Sequence, residues 1–574
     1  MTTPVRWGLE FLVNTTISIY NYSLAPSISA FVDGRFVVTW SSFSRSITGA
    51  DPSFLGIYAQ IFNADGSKSG VEFVVNTTTL RNQYDSAITT LTDGRFVVSW
   101  TDDNVARTGP DKEYSAIRAQ VFNADGSLSG AEWVVNTKTA GGQIQSAITA
   151  LTDGRFVVSW TDYSVTKAGT PRYDVRAQIF NSDGSIAGAE FLVHAPSTRY
   201  QLDPAISALA DGRFVVSWTD YRQTGADTSF NAIRAQVFNA DGSLYGTEFV
   251  VNTTTLFPQW EPAITTLTDG KFVVSWTDQS NTGADTSEVA IRAQVFNADG
   301  SRSGAEFLVN SITKGQQYES SVTALADGRF VVSWTDDSLT APDRFNTAIH
   351  AQVFNTDGSR SGAEFLVNTK TAYYQVDSVI TALADGRFVI TWSDGSIPPS
   401  STLPVYAVRA QIFDPREAAV SLTGTTGDDD FVGTGFDDQI SGGSGRDTLA
   451  GAAGNDTLSG DLDNDTLFGG SGNDRVFGGG GNDRLTGGAG VDRMAGNGGA
   501  DVFVFATGSG TDTVTDFTDG ADRIDLSAYG FATAVAAKAF FTNVGPDVVF
   551  TFGADQLVIE NYTKVQIGFA DLIL

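Results

Sequence analysis

The stretch DGRFVVSWTD, Asp93 to Asp102, returns in near copies along most of the chain. Its tryptophan, Trp100, has counterparts at Trp40, Trp160, Trp218, Trp276, Trp334 and Trp392, at intervals of 60, 60, 58, 58, 58 and 58 residues. A fixed period of this length requires a repeat architecture, in which each unit buries its apolar face against the next.

Within the stretch, Phe96, Val98 and Trp100 alternate with Val97 and Ser99, the two-residue period of a β-strand. SAITTLTDG (Ser86 to Gly94) precedes it as a second strand ending in an Asp-Gly turn, and AIRAQVFNADGS (Ala116 to Ser127) follows as a third. AEWVVNT, Ala131 to Thr137, is the fourth. Four short antiparallel strands per repeat describe a blade, and seven repeats over residues 1–413 describe a seven-bladed β-propeller. The last repeat has only three strands, ending with RAQIF at Phe413. Its missing partner is GLEFLVNT, Gly8 to Thr15, so the N-terminal strand is expected to complete the seventh blade. The N-A-D-G-S turns, as at Asn123 to Ser127, lack the further acidic positions of a calcium loop and read as hairpin turns.

Antiparallel order puts the Asp-Gly turns of every blade on one face and the longer connections on the other. The variable loops are Thr101 to Tyr114, Thr161 to Tyr173, Thr219 to Phe230, Thr277 to Val289 and Ser393 to Pro404. Tyr84, Tyr163, Tyr200, Tyr221, Trp260, Tyr318, Tyr373 and Tyr374 bring aromatic rings to that face, which suit sugars or protein partners. Two carboxylate rings accompany them. One is Asp85, Asp203, Glu261, Glu319 and Asp377, with Gln145 and Ala25 in the remaining places; the other is Asp102, Asp162, Asp220, Asp278, Asp336 and Asp394. Carboxylates converging on a channel mouth can hold a cation or act as acid and base, but recurrence in every blade favours turn capping. His194 and His350 occupy slots held by Asn and Arg elsewhere and read as drift.

The formal charge of −30 is uneven: residues 421–574 hold 23 Asp and Glu against 7 Lys and Arg, a net of −16. This balance repels nucleic acid and anionic lipid and favours divalent cations. The absence of cysteine removes disulfides and thiolate sites. The N-terminal MTTPVRWGLEFLVNTT lacks a secretory apolar core, and no 18-residue apolar run exists, so no transmembrane segment is expected and any export address lies elsewhere.

After a linker, residues 414–423, Gly424 to Val504 divides into nine nonapeptides. Position one is always Gly; position six is always Asp (Asp429, Asp438, Asp447, Asp456, Asp465, Asp474, Asp483, Asp492, Asp501). Position eight is always apolar (Phe431, Ile440, Leu449, Leu458, Leu467, Val476, Leu485, Met494, Phe503). GGSGRDTLA (Gly442 to Ala450) and GGSGNDRVF (Gly469 to Phe477) resemble the GGxGxDxUx pattern of the repeats-in-toxin (RTX) family. The resemblance implies a parallel β-roll over residues 424–504 holding several Ca2+ ions between turns two nonapeptides apart. Phe436 and Asp463 replace the fourth-position glycine, which weakens the case for Asp438 and Asp465 as ligands. Residues 505–574 resemble the β-rich module that follows RTX repeats in serralysin-type proteases. The terminal Asp571-Leu572-Ile573-Leu574 is similar to a type I secretion signal, but no HExxH occurs.

The whole reads as an all-β protein: propeller, β-roll and β-rich secretion module. The expectation is a bacterial protein exported by the type I machinery, secreted or at the cell surface, whose roll folds once calcium neutralises it. No catalytic residue rises above the repeat consensus, so the propeller is expected to bind a glycan or a cell-surface protein through its long-loop face. The rivals are a surface-layer or filament subunit that self-assembles with calcium, and a glycan lyase or hydrolase using Asp203 and Glu261.

Overall fold

The computed structural model describes residues 3–15, 25–43, 55–78, 81–103, 115–139, 141–165, 171–222, 230–282, 289–338, 347–370, 374–395 and 406–574. Most of the long loops, and Tyr373, lie outside the described residues. In the main, the chain divides into two compact units that meet in sequence between Pro415 and Arg416.

The first unit contains seven four-stranded antiparallel sheets. In a representative blade Gln83–Thr90 is the inner strand, followed outward by Phe96–Asp102, Ala116–Phe122 and Trp133–Val134. The inner strands stand side by side around a ring, and Gln375–Ala382 returns to Ser27–Ala30. In the seventh sheet the outer strand is Val5–Leu12, paired antiparallel with Ala407–Asp414. The first strand and the last three thus share one blade.

Every residue of Phe96–Asp102 is buried, because a neighbouring blade covers each face of the sheet. Phe96, Val98 and Trp100 pack with Ile57 and Ile61 of the preceding blade, whereas Val97 packs with Phe156 and Trp160 of the following one. All seven repeat tryptophans are fully buried in such seams. Truncating a buried indole to alanine costs about 3–5 kcal/mol, so the periodic tryptophan fixes blade against blade. The Asn123 to Ser127 turn is a hairpin turn, closed by the Asn123 amide on the Ser127 carbonyl at 2.8 Å. Its Gly126 has φ +85°, and a methyl there would meet the Phe73 ring of the neighbouring blade at 2.8 Å.

The second unit is a roll of two sheets with parallel pairing between strands two nonapeptides apart. Thr448–Ala453 pairs with Thr466–Gly472, which pairs with Arg484–Gly490; Thr457–Leu462, Arg475–Gly480 and Arg493–Gly498 do the same in the facing sheet. The position-eight residues, from Phe431 to Phe503, form one buried core between the sheets. This parallel ladder does not stop at Val504: Thr511–Val514 and Arg523–Asp525 continue it, one in each sheet. A short helix, Ala534–Lys538, and the antiparallel strands Phe541–Val544, Asp547–Phe552 and Asp555–Ile559 follow. Leu572–Ile573 closes the other sheet against Arg523–Asp525. Among the described residues no helix is long and apolar enough to cross a membrane.

Candidate functional site

One place in the propeller breaks the regular pairing of every fully described inner strand. The register slips between Tyr84 and Ala87, and again at Gln145, Asp203, Glu261, Glu319 and Asp377. The first residue of each bulge has positive φ: Asp85 +52°, Gln145 +56°, Asp203 +54°, Glu261 +55°, Glu319 +57° and Asp377 +56°. A bulge inserts a residue and re-aims its side chain. Here all six residues line a central cavity of about 590 Å3, together with Ala25 of the remaining blade. These residues therefore do not cap turns, the role that recurrence alone had favoured; they sit mid-strand at the channel wall. Ile88, Ile206, Val322 and Ile380 line the same cavity and give it an apolar part.

The crowding of carboxylates raises their affinity for protons. Glu261 is pushed up to about 7, first by burial in the channel wall and then by the Glu319 and Asp203 charges. Its side chain is nonetheless exposed to solvent along the channel. Glu319 and Asp377 hydrogen bond to each other, and both are raised, by burial foremost. Burial likewise raises Asp85 and Asp203, the latter moderated by hydrogen bonds with Thr219 and Gln145. The hydroxyl after Trp218 and the one after Trp276 steady the next blade: Thr219 accepts from the Glu261 amide at 3.2 Å, and Thr277 from the Glu319 amide at 3.3 Å.

Aromatic rings adjoin this mouth. Tyr221 feels the charges of Asp203 and Glu261, and Tyr318 those of Glu319, Asp337 and Asp377; both phenols are raised, by burial foremost. Tyr84 is pushed up to about 12 by burial and by Asp103 and Asp85. Trp260, half-buried, directly precedes Glu261. Tyr163, Tyr173, Tyr200 and Tyr221 form a chain of ring contacts with centroids 4.9, 5.1 and 6.2 Å apart. Tyr200 and Tyr221 are each 37% exposed at its end.

The second carboxylate ring does not converge on the channel. Asp102 is buried and accepts from Gln83 at 3.0 Å and from Arg118 at 2.6 Å. Arg118 continues to Glu132, whose other oxygen accepts from the Thr77 amide and hydroxyl of the preceding blade at 2.7 and 2.8 Å. Asp162, Asp278 and Asp394 repeat the arrangement with Arg176, Arg292 and Arg409. His350 stands in the arginine slot and keeps its task, contacting Glu364 at 2.9 Å and Asp336 at 3.5 Å. It is a working substitution rather than drift. His194 lies 3.4 Å from Asp174, and its Nδ1 donates to the Ala195 carbonyl at 2.7 Å.

In the roll, the position-six carboxylates are all buried. From Asp447 onward, one oxygen of each accepts the backbone amide of the aspartate two nonapeptides earlier: Asp474 from Asp456 at 2.8 Å, Asp483 from Asp465 at 2.8 Å and Asp492 from Asp474 at 2.9 Å. The other oxygen, Oδ2, has no hydrogen-bond partner at Asp447, Asp456, Asp465, Asp474, Asp483 and Asp492. It points into space that a side chain at position one would fill. A methyl at Gly469 would lie 2.5 Å from the Asp474 Oδ2, and one at Gly451 would lie 2.5 Å from the Gly469 carbonyl. A buried, partnerless carboxylate oxygen beside a backbone carbonyl is a donor set for a hard cation. Among the described residues no group of three or more acidic or histidine side chains is placed to hold a metal ion by itself, so in the roll backbone carbonyls would have to supply many of the ligands. Asp465 shares the open geometry in spite of Asp463, which itself takes the positive φ of the missing glycine, +75°. Asp438 does not: its oxygens accept from the Val420 amide at 2.7 Å and from Thr434. At Asp429, Oδ2 accepts from the Thr425 amide at 2.6 Å, leaving Oδ1 open.

A seven-bladed β-propeller carried with a parallel roll of stacked acidic nonapeptides is the class of protein these two units define. Residues 423–458, 441–476, 452–485, 468–503 and 477–514 match the family of RTX calcium-binding nonapeptide repeats (4 copies). The roll is built of RTX repeats, and such repeats bind calcium and go with secreted proteins. No curated protein matches the chain. Among solved structures, it is similar to a protein of unknown function from Dyadobacter fermentans DSM 18053, at 12% identity over 72% of this chain and 99% of that one, with a TM-score of 0.40. It is also similar to the polysaccharide lyase Uly1, at 8% identity over 71% and 93% of the two chains with a TM-score of 0.41. A third is the α-L-arabinofuranosidase Arb93A from Fusarium graminearum, at 11% identity over 70% and 98% with a TM-score of 0.37.

Proposed function

We propose that this is a secreted, calcium-dependent protein whose propeller binds a glycan at the mouth of its central channel. The observation that carries the reading is the set of six bulges, which turn Asp85, Gln145, Asp203, Glu261, Glu319 and Asp377 into one cavity. Carboxylates and an amide accept and donate hydrogen bonds to hydroxyls, while Trp260, Tyr84, Tyr221 and Tyr318 offer faces on which sugar rings stack. Tyr163 extends the aromatic surface outward through the chain of ring contacts. Calcium enters through the other unit. Asp447, Asp456, Asp465, Asp474, Asp483 and Asp492 would hold it with their open oxygens, Asp429 and Asp501 would contribute at the ends, and Asp438, already satisfied, would not. Bound calcium neutralises carboxylates that otherwise repel one another across the stack.

The test is a glycan array probed with the calcium-loaded full chain, followed by titration of any hit. Asp203→Asn with Glu261→Gln should weaken binding at least about tenfold, or about 1.4 kcal/mol. An array without hits, or a hit indifferent to both substitutions, would overturn the reading. A catalytic version is favoured by one specific feature: Glu261, raised to about 7 beside Asp203 and Tyr221, has the proton affinity of a general acid at neutral pH. Turnover of the bound glycan, lost in Glu261→Gln while binding persists, would select it.

A further inference from the structure

Repetition gives every blade the same ground plan, so departures from it stand out, and three of them fall together in two adjoining blades. Arg222 stands two residues after Asp220, where the blades of Asp162, Asp278, Asp336 and Asp394 have Ser164, Ser280, Ser338 and Ser396. Arg199 occupies a slot that holds Gly141, Phe257, Gly315 and Tyr373 elsewhere, and Arg81 in one other blade. Arg172 lies two residues before Asp174, which pairs across the strands with Asp162 where Asp102 and Asp220 face Ala116 and Ala232. These three arginines, with Pro196, Ser197 and Thr198, line a pocket of about 540 Å3.

The arginines keep part of their hydrogen-bonding capacity free. Arg172 donates from Nε to the Asp174 Oδ1 at 2.9 Å, and among the described residues its two Nη groups have no partner. Arg222 donates from Nε to both oxygens of Asp220 at 2.9 Å and from Nη2 to Glu248, and among the described residues its Nη1 has no partner. Arg199 is exposed, and among the described residues its guanidinium has neither an ion pair nor a hydrogen bond. Asp220 and Glu248 also pair with Arg234. Arg172, Arg199, Arg222 and Arg234 thus set four positive charges against the three negative ones of Asp174, Asp220 and Glu248, in a chain whose formal charge is −30. Each pocket arginine is also the sequence neighbour of a tyrosine in the chain of ring contacts: Arg172 of Tyr173, Arg199 of Tyr200 and Arg222 of Tyr221. The pocket therefore runs beside these rings, whose centroids are 5.1 and 6.2 Å apart, and Tyr221 feels the charges of Asp203 and Glu261 at the channel.

We infer that the pocket of Arg172, Arg199 and Arg222 binds the acidic group of an anionic glycan, a uronate carboxylate or a sulfate ester, while sugar rings of the same glycan lie on the tyrosines. A guanidinium is a fork of donors matched to the oxygens of either group, and aromatic faces suit the rings between them. The inference rests on the reading that the propeller takes a glycan at its channel, and it names the class of that glycan: sparsely charged, with neutral hydroxyls toward Asp203 and Glu261 and its acid on the arginines. Carboxylates repel an anion from the channel and the arginines attract it to the pocket, so the two places fix the direction in which the glycan lies. A densely charged polyanion such as nucleic acid does not suit the same ground, because a local surplus of one positive charge does not offset the −30 of the whole chain.

The test titrates calcium-loaded full-length protein calorimetrically with two matched pairs of oligosaccharides: oligogalacturonate against its methyl ester, and a carrageenan oligosaccharide against its desulfated form. At least one acidic member should bind about tenfold more tightly than its neutral partner, and Arg199→Glu should remove that advantage. The pair that responds tells a carboxylate site from a sulfate site. Should Arg199→Glu lower the thermal midpoint of the protein, Arg199→Ser decides in its place. Acidic members bound no more tightly than their neutral partners, or an advantage that survives the substitution, would overturn the inference. Neutral members that bind, are weakened by Asp203→Asn with Glu261→Gln and are indifferent to Arg199→Glu would overturn it while upholding the channel reading. If none of the four probes binds, the anionic pocket is overturned and the channel reading is left to the glycan array.

Discussion

A non-glycine residue held near φ +55° costs on the order of 1 kcal/mol, and the propeller accepts that cost at Asp85, Gln145, Asp203, Glu261, Glu319 and Asp377 alike. Ordinary pleating would give these side chains no common target; the bulge gives them one. Concentrating acids has an electrostatic consequence with a definite sign. Glu261 has a folded-state pKa raised to about 7 from the ordinary 4.5 of a glutamate, so folding takes up a proton between those values. Its contribution is favourable below the unfolded value and is lost as pH rises through about 7. The thermal midpoint of the propeller should therefore fall between pH 5 and pH 8 in calcium-loaded protein, and fall measurably less in Glu261→Gln. Equal slopes for the two proteins by calorimetry would show that the ring does not titrate in this range. The Glu132 class works in the opposite direction. Burial raises these carboxyls, but hydrogen bonds from Thr77 and Thr78 outweigh it and hold Glu132 below its usual range. Their contribution is lost only as pH falls into the acid range.

At the level of the element, the two units use glycine for different ends. In the blades it turns a hairpin where the neighbouring blade leaves no room for a side chain, as at Gly126 over Phe73. In the roll it lets carbonyls stack. Gly472 has φ +132°, and a methyl there would collide with the Gly454 carbonyl two turns away. Gly472→Ala should raise the calcium concentration needed to fold the roll by tenfold or more, followed by circular dichroism, while Gly435→Ala, whose added methyl meets nothing, should not. Blade number and the parallel roll are legible in the sequence because they follow from period: tryptophan every 58 to 60 residues, and Gly, Asp and an apolar residue every nine. Features outside a period are not. The bulge at Asp85 leaves no mark in S-A-I-T-T, since an extra residue in a strand changes geometry and not composition. The role of Asp102 depends on Gln83 and Arg118, which lie on other strands. The continuation of the ladder at Thr511–Val514 is hidden by the two residues Phe505 and Ala506, which put it out of step with the nine-residue period.

On the scale of the whole molecule, the division of labour follows charge and packing. The propeller buries seven tryptophans and knits its blades through Asp, Arg, Glu and Thr, so it is expected to fold without metal. The roll has a single narrow core and rows of buried, uncompensated carboxylates, so it is expected to fold only when calcium is supplied. On the proposed reading, secretion would give that difference a use: the chain would be partly unfolded at cytosolic calcium and complete outside. The most direct test is limited proteolysis of the full-length protein with and without calcium, the fragments being identified by mass. In calcium both units should survive. In chelator, residues 416–574 should be degraded within the time that leaves a propeller fragment of residues 1–415 intact. Survival of the 416–574 segment in chelator, at the rate seen in calcium, would contradict the account.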